Sequence, residues 1–141
     1  MSKRETTDTI VIHCTQTPPG MDVDVDKVTQ WHKDRGFDTI GYHYLIKRDG
    51  TLQEGRQQDE VGAHAVAVNG NSVGVAMAGG GTPTMGWEDN FAPIQFQTLK
   101  TIIMKLKKDY KIEKVIGHYQ VDDKKECPSF DVPKWLEKNN I

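Results

Sequence analysis

The chain has 141 residues, a formal net charge of −2, 36% hydrophobic residues and 27% charged ones. This is the size and makeup of one globular domain, able to bury roughly 70% of its unfolded surface without staples. The charge balance speaks against a dedicated nucleic-acid binder, and two cysteines, Cys14 and Cys127, exclude a disulfide-rich scaffold.

In chain order, residues 1–8 carry no apolar h-region, so no signal peptide is expected. Synthesis in the cytoplasm follows, with release toward any external substrate left to another agent. These eight residues are expected to form a flexible N-terminus, and residues 1–141 a single domain. Thr9-Ile10-Val11-Ile12-His13-Cys14 is a β-branched run, apolar on both faces, and reads as a buried central strand. After a loop at Pro18-Pro19-Gly20, Asp24 caps a short helix whose stripe is Val25, Val28 and Trp31 and whose stop is Gly36. The runs 42–47 and 51–54 flank a turn with Asp49-Gly50, a hairpin signal. The run 72–78 sets Val73, Val75 and Met77 against Gly74, Ala76 and Ala78. It reads as another central strand, with a small-residue face against which something packs closely.

Gly79-Gly80-Gly81 opens a long loop, and Pro93 suits the first position of a helix. Phe96, Leu99, Ile103, Leu106 and Tyr110 then follow at helical spacing, with Lys105, Lys107 and Lys108 toward the negative end of the dipole. The run 114–117 reads as a short strand and 132–139 as a terminal helix. Strands alternating with helices predict an α/β domain, a central mixed β-sheet flanked by helices. The longest uncharged apolar stretch, near 73–78, is far too short to span a bilayer.

Gly70-Asn71-Ser72-Val73-Gly74 matches G-x-S-x-G, but a hydrolase elbow runs from strand into helix, whereas here a strand follows the serine. Ser72 therefore reads as a residue at a strand entrance. None of the five histidines shows compact zinc spacing. A catalytic zinc, however, needs only three protein ligands and an open position, and these can come from distant strand ends. His13 ends the first strand, His118 follows the strand at 114–117, and Cys127 lies in the next polar loop. Position alone leaves the ordinary readings open: a packing or hydrogen-bonding histidine, and a buried thiol. Strand alternation sends His13 and Cys14 to opposite faces, so only one of them can aim at a site.

Five segments in order, Val11-Ile12-His13-Cys14-Thr15, Trp31-His32-Lys33, Gly41-Tyr42-His43-Tyr44, Lys47-Arg48-Asp49-Gly50-Thr51 and Val61-Gly62-Ala63-His64-Ala65, open a match completed by Asn71-Ser72-Val73-Gly74-Val75 and Cys127-Pro128-Ser129-Phe130-Asp131. The ordered set resembles the bacteriophage N-acetylmuramoyl-L-alanine amidases. These include the amidase-type phage lysozymes and are related to the peptidoglycan recognition proteins. The resemblance implies a zinc ion held by His13, His118 and Cys127, a catalytic Tyr42 and a catalytic Lys125, two residues before the cysteine. Nine positions separate His118 from Cys127, one more than in the nearest phage relatives, so Lys124 competes with Lys125 for that role. The family's small N-cap before Pro93 is replaced by Ala92, without catalytic meaning. The resemblance also places His64 near the substrate groove, against the ordinary reading of a loop histidine. His32 and His43 read as structural, and Trp31 as core.

Zinc would polarise the amide carbonyl and activate water near neutral pH, Lys125 would stabilise the oxyanion, and Tyr42 would hydrogen-bond the water or pass a proton. No carboxylate stands out as general base. The implied partner is bacterial peptidoglycan, acted on at the cell wall by a monomer as an endolysin; no nucleic acid is expected. The alternatives are a non-catalytic peptidoglycan-binding module, a bifunctional amidase that also regulates a polymerase, and a cysteine hydrolase with Cys127 as nucleophile and His118 as base. A Cys14–Cys127 disulfide would end the zinc reading.

Overall fold

The computed structural model describes residues 2–141. The β-branched run forms β1 (Thr9–Cys14), every residue of which is buried. Beside it run β4 (Ser72–Met77) on one side and β5 (Lys114–Gly117) on the other, both parallel to it. The hairpin of β2 (Tyr44–Ile46) and β3 (Leu52–Glu54) completes a five-stranded sheet in the order β3-β2-β4-β1-β5. Only the β2–β3 pair is antiparallel, so the sheet is mixed, as the sequence predicts.

Helices cover both faces. On one face Ile10, Ile12, Val73, Val75 and Met77 pack against Leu99, Ile102, Ile103 and Leu106 of α2 (Pro93–Asp109) and Val132 of α3 (Val132–Lys138). The opposite face receives Val28 of α1 (Val25–Asp34), with Val25 and Trp31 at the margin of the same cluster. Asp24 caps α1 by accepting from the Lys27 amide at 2.8 Å, and Gly36 takes φ +95° just beyond its end, a left-handed stop that glycine adopts without strain.

Two details go beyond the sequence reading. Met1 lies outside the described residues, but the rest of the expected flexible arm is bound: the Arg4 amide donates to Asp59 O at 2.8 Å, its guanidinium donates to Glu60 O, and Lys3 pairs with Glu60 in an isolated β-bridge. Gln95 is fully buried inside the apolar stripe of α2. Its amide donates to Ala78 O at 2.9 Å while its Oε1 accepts from the Ala92 amide at 2.9 Å. One side chain thus fastens α2 to the end of β4 and satisfies the backbone amide of the N-cap residue Ala92.

Candidate metal centre

β1 and β5 are neighbours in register, with Ile12 opposite Gly117, so His13 and His118 emerge side by side. Their ring centroids are 4.5 Å apart. The loop after His118 returns to β1 and seats Cys127 under it: the Cys14 amide donates to Cys127 Sγ at 2.9 Å. The ligand atoms of His13, His118 and Cys127 all lie within 4.8 Å of one another. That scale suits one ion with bonds of about 2.0–2.3 Å. Both cysteines are free, and Cys14 turns away toward Gly80 and Ser129, its Sγ 3.8 Å from Ser129 Oγ. Both thiols are unbridged, so no disulfide competes.

The donors are chemically matched to a cation. Burial, reinforced by the facing His64 and His118, holds the His13 imidazole well below its ordinary pKa, and burial also lowers His118. Both imidazoles therefore keep a free lone pair at neutral pH. Burial pushes the Cys127 thiol well up, with Cys14 adding to the shift, so the thiolate needs a cationic partner to form. Two neutral imidazoles and one thiolate are a donor set for zinc rather than for magnesium or calcium, which prefer oxygen. Three protein ligands facing a cavity leave room for a substrate or water at a fourth position.

That cavity measures about 460 Å³ and is lined by His13, His118, Cys127, Tyr42, Asp122 and Lys125 among others. Tyr42 lies 5.0 Å from His13, centroid to centroid. Its backbone is fixed through Gly41, whose amide donates to His32 Nδ1 at 2.8 Å and whose carbonyl accepts from Ala63 N at 3.1 Å. A Cβ on Gly41 would meet Ala63 O at 2.1 Å, so only glycine allows this crossing. Burial raises the Tyr42 pKa, so the phenol stays protonated and can donate. Lys125 lines the cavity and Lys124 does not; Lys124 is exposed, its amide donating to Asp122 Oδ1. Among the described residues that line the cavity, Asp122 is the one carboxylate, its Oδ2 3.9 Å from His118 Nε2.

Along 128 of the 141 positions, residues 3–130, the sequence matches the profile of the N-acetylmuramoyl-L-alanine amidases. The chain belongs to that family. It is 43% identical to the endolysin of Klebsiella phage KP32 over 140 residues, 99% of this chain and 92% of that one. It is 42% identical to the endolysin of Escherichia phage T7 over 139 residues, 99% of this chain and 91% of the other. Among solved structures, an N-acetylmuramoyl-L-alanine amidase from Clostridium intestinale URNW superposes with a TM-score of 0.82 at 30% identity, covering 96% of this chain and 87% of that one. The enzyme is therefore an amidase of endolysin type, and none of the helices in its described residues is long and apolar enough to cross a membrane.

The amidase family match leaves three histidines to place. His32 and His43 are buried and structural, as expected: His43 Nδ1 accepts from the Gly74 amide at 2.9 Å and its Nε2 lies 2.7 Å from Glu60 O. His64, which the resemblance places near the substrate groove, contributes to the cavity lining and is itself buried. Its ring fills the space above Gly74, where a Cβ would come within 2.6 Å of Cγ. His64 thus packs on the small-residue face at Gly74, while Ala76 and Ala78 pack in the cluster with Val28 of α1. Both of its nitrogens have partners inside the protein, one with His13 at 2.8 Å and one with Ser72 at 3.3 Å. Sequence reasoning also missed Asp122 and Arg35 as cavity residues, since nothing in their local spacing marks them.

Buried neutral histidines carry a pH signature. Burial depresses His43 to about 4, against an ordinary value near 6.5. Between roughly pH 4 and 6.5 the unfolded chain then holds a proton that the folded one does not, so stability falls as pH falls through that window, by up to about 1.4 kcal/mol per unit for one such group. Urea denaturation of metal-free protein should give a lower midpoint at pH 5 than at pH 7.5. Equal midpoints would show that His43 is not held neutral.

Proposed function

We propose that this amidase is a zinc-dependent peptidoglycan hydrolase that cleaves the amide bond between N-acetylmuramic acid and the L-alanine of the stem peptide. The observation that carries the reading is the cluster of His13, His118 and Cys127 beside Tyr42 and Lys125 on one cavity, in a chain of this family. Bound zinc would supply Lewis acidity toward the scissile carbonyl and lower the pKa of water toward ~7.

The chain's own groups do the rest. His13, His118 and Cys127 would hold the ion, and the Cys14 amide would steady the negative sulfur. Tyr42, protonated, donates a hydrogen bond to oxygen at the reacting centre and restrains it. Lys125 brings a cation to the same cavity and opposes the charge that develops on the carbonyl oxygen as the tetrahedral centre forms. A nucleophilic role for Cys127 is disfavoured physically, because burial pushes its thiol up and its sulfur is turned under β1. The endolysins it resembles suggest the cell wall as the place of action. The test is product analysis: purified walls treated with the protein should yield free N-terminal alanine on intact stem peptides, with no new reducing ends. New reducing sugars in place of free alanine would mean a different bond.

A further inference from the structure

We propose that His64 is a positioning residue for the metal centre: a hydrogen-bond chain from Val68 through Ser72 and His64 fixes the tautomer of His13 and turns its Nδ1 toward the ion. The inference rests on the zinc reading above, and it assigns to the loop histidine a role in orienting a metal ligand.

The direction of each proton follows from the fixed end of the chain. Val68 O is a carbonyl and can only accept. Ser72 Oγ lies 2.7 Å from it and therefore gives up its one hydrogen there. Ser72 is fully buried, and no other proton is left on its oxygen for His64. At 3.3 Å from His64 Nε2, Ser72 Oγ must accept, so Nε2 carries the hydrogen. A neutral imidazole has one N–H, which leaves His64 Nδ1 as a lone pair. His13 Nε2 sits 2.8 Å from that lone pair and must donate to it. His13 is then the Nε2–H tautomer, and Nδ1 remains as the atom it offers to the cluster with His118 and Cys127.

The surroundings hold the relay rigid. The His64 ring is clamped between two glycines: a Cβ on Gly62 would stand 2.5 Å from its Cδ2, and one on Gly74 2.6 Å from its Cγ. Its backbone is pinned by Asn69, whose Oδ1 accepts from the His64 amide at 2.9 Å and the Ala65 amide at 2.8 Å. The ring meets His13 edge-on, 4.9 Å between centroids at 85°. This arrangement gives the G-x-S-x-G segment a purpose: Ser72 sets the proton and Gly74 makes the seat. Metal-bound histidines typically rely on such a partner on the second nitrogen, and its loss costs about 10–100-fold in metal affinity.

Ring 15N NMR on the metal-free protein reads the chain directly. His13 and His64 should both appear as Nε2–H tautomers in the wild type, and Ser72→Ala should leave His64 as a tautomer mixture. Zinc affinity, measured by chelator competition, should fall about 10–100-fold in His64→Leu. It should recover in large part in His64→Asn, whose side-chain oxygen can accept where Nδ1 did. If His64→Leu does not fold, Ser72→Ala supplies the same comparison, with a loss of several-fold expected. A His13 ring protonated on Nδ1 in the wild type would overturn the proposal. So would zinc affinity unchanged in His64→Leu, or unrestored in a folded His64→Asn. A wild-type protein that binds no zinc would overturn the metal reading itself, and the tautomers would still decide whether the proton chain exists.

Discussion

Replacing Cys127 by serine is expected to abolish both zinc binding and wall hydrolysis while leaving the fold in place. The sulfur is buried, within 4.8 Å of the ligand atoms of His13 and His118, and it receives the Cys14 amide. A thiolate is a strong, polarisable ligand for zinc, whereas a serine hydroxyl ionises only at far higher pH and binds zinc poorly as the neutral alcohol. Loss of a partner one step removed from the metal already costs about 10–100-fold in affinity; loss of the ligand itself should exceed that and leave less than stoichiometric zinc after dialysis. The substitution is nearly isosteric, and both cysteines are free, so no cross-link is lost. Zinc content and release of free alanine, measured on one preparation, check the prediction. If Cys127 were a nucleophile instead, activity would vanish while bound zinc stayed at the wild-type level.

Lys125→Ala is expected to lower turnover by about 10²–10³-fold with zinc retained, the effect of removing one stabiliser of a developing oxyanion. Lys125 shares the cavity with the three metal-binding candidates, close enough that its charge bears on both His118 and Cys127. Both lysines are exposed, but Lys124 is outside the cavity lining, so Lys124→Ala should retain nearly the wild-type rate. The pair of variants resolves the one-residue ambiguity created by the extra position between His118 and Cys127. Full activity in Lys125→Ala, or a comparable loss in Lys124→Ala, would remove Lys125 from the mechanism. Zinc measured alongside separates a charge effect from a lost ligand.

Much of the scaffold is legible in the sequence because its signals are local. The β-branched run at Thr9–Cys14, the Asp24 cap, the turn at Asp49-Gly50 and Pro93 at the head of α2 each specify their element within a few residues. The metal cluster is different. His13 meets His118 only because β1 and β5 pair in parallel across more than a hundred residues, and no spacing rule contains that pairing. The ordered resemblance to a family supplied it instead. Alternation did choose between the cysteines, since Cys14 had to face away from His13, as it does.

Three polar side chains show what the sequence leaves out. Gln95 looks like an interruption of an apolar stripe until the carbonyl ends of β2 and β4 are seen beside it. His64 looks like a loop histidine until Gly74 is placed beneath its ring. Arg4 looks like part of a loose terminus until the carbonyls of residues 58–60 gather around it. In each case a polar side chain is justified by groups that only the folded chain brings beside it, and composition carries no trace of them. Gly74 of β4 came nearest to a signal, for it announced a close approach without naming the visitor.

The most direct test of the account is amide cleavage followed through removal and return of the metal. Protein stripped with a chelator and dialysed should release no free N-terminal alanine from purified walls, and one equivalent of zinc per chain should restore the original rate. Release of alanine at an undiminished rate by the zinc-free protein would contradict it.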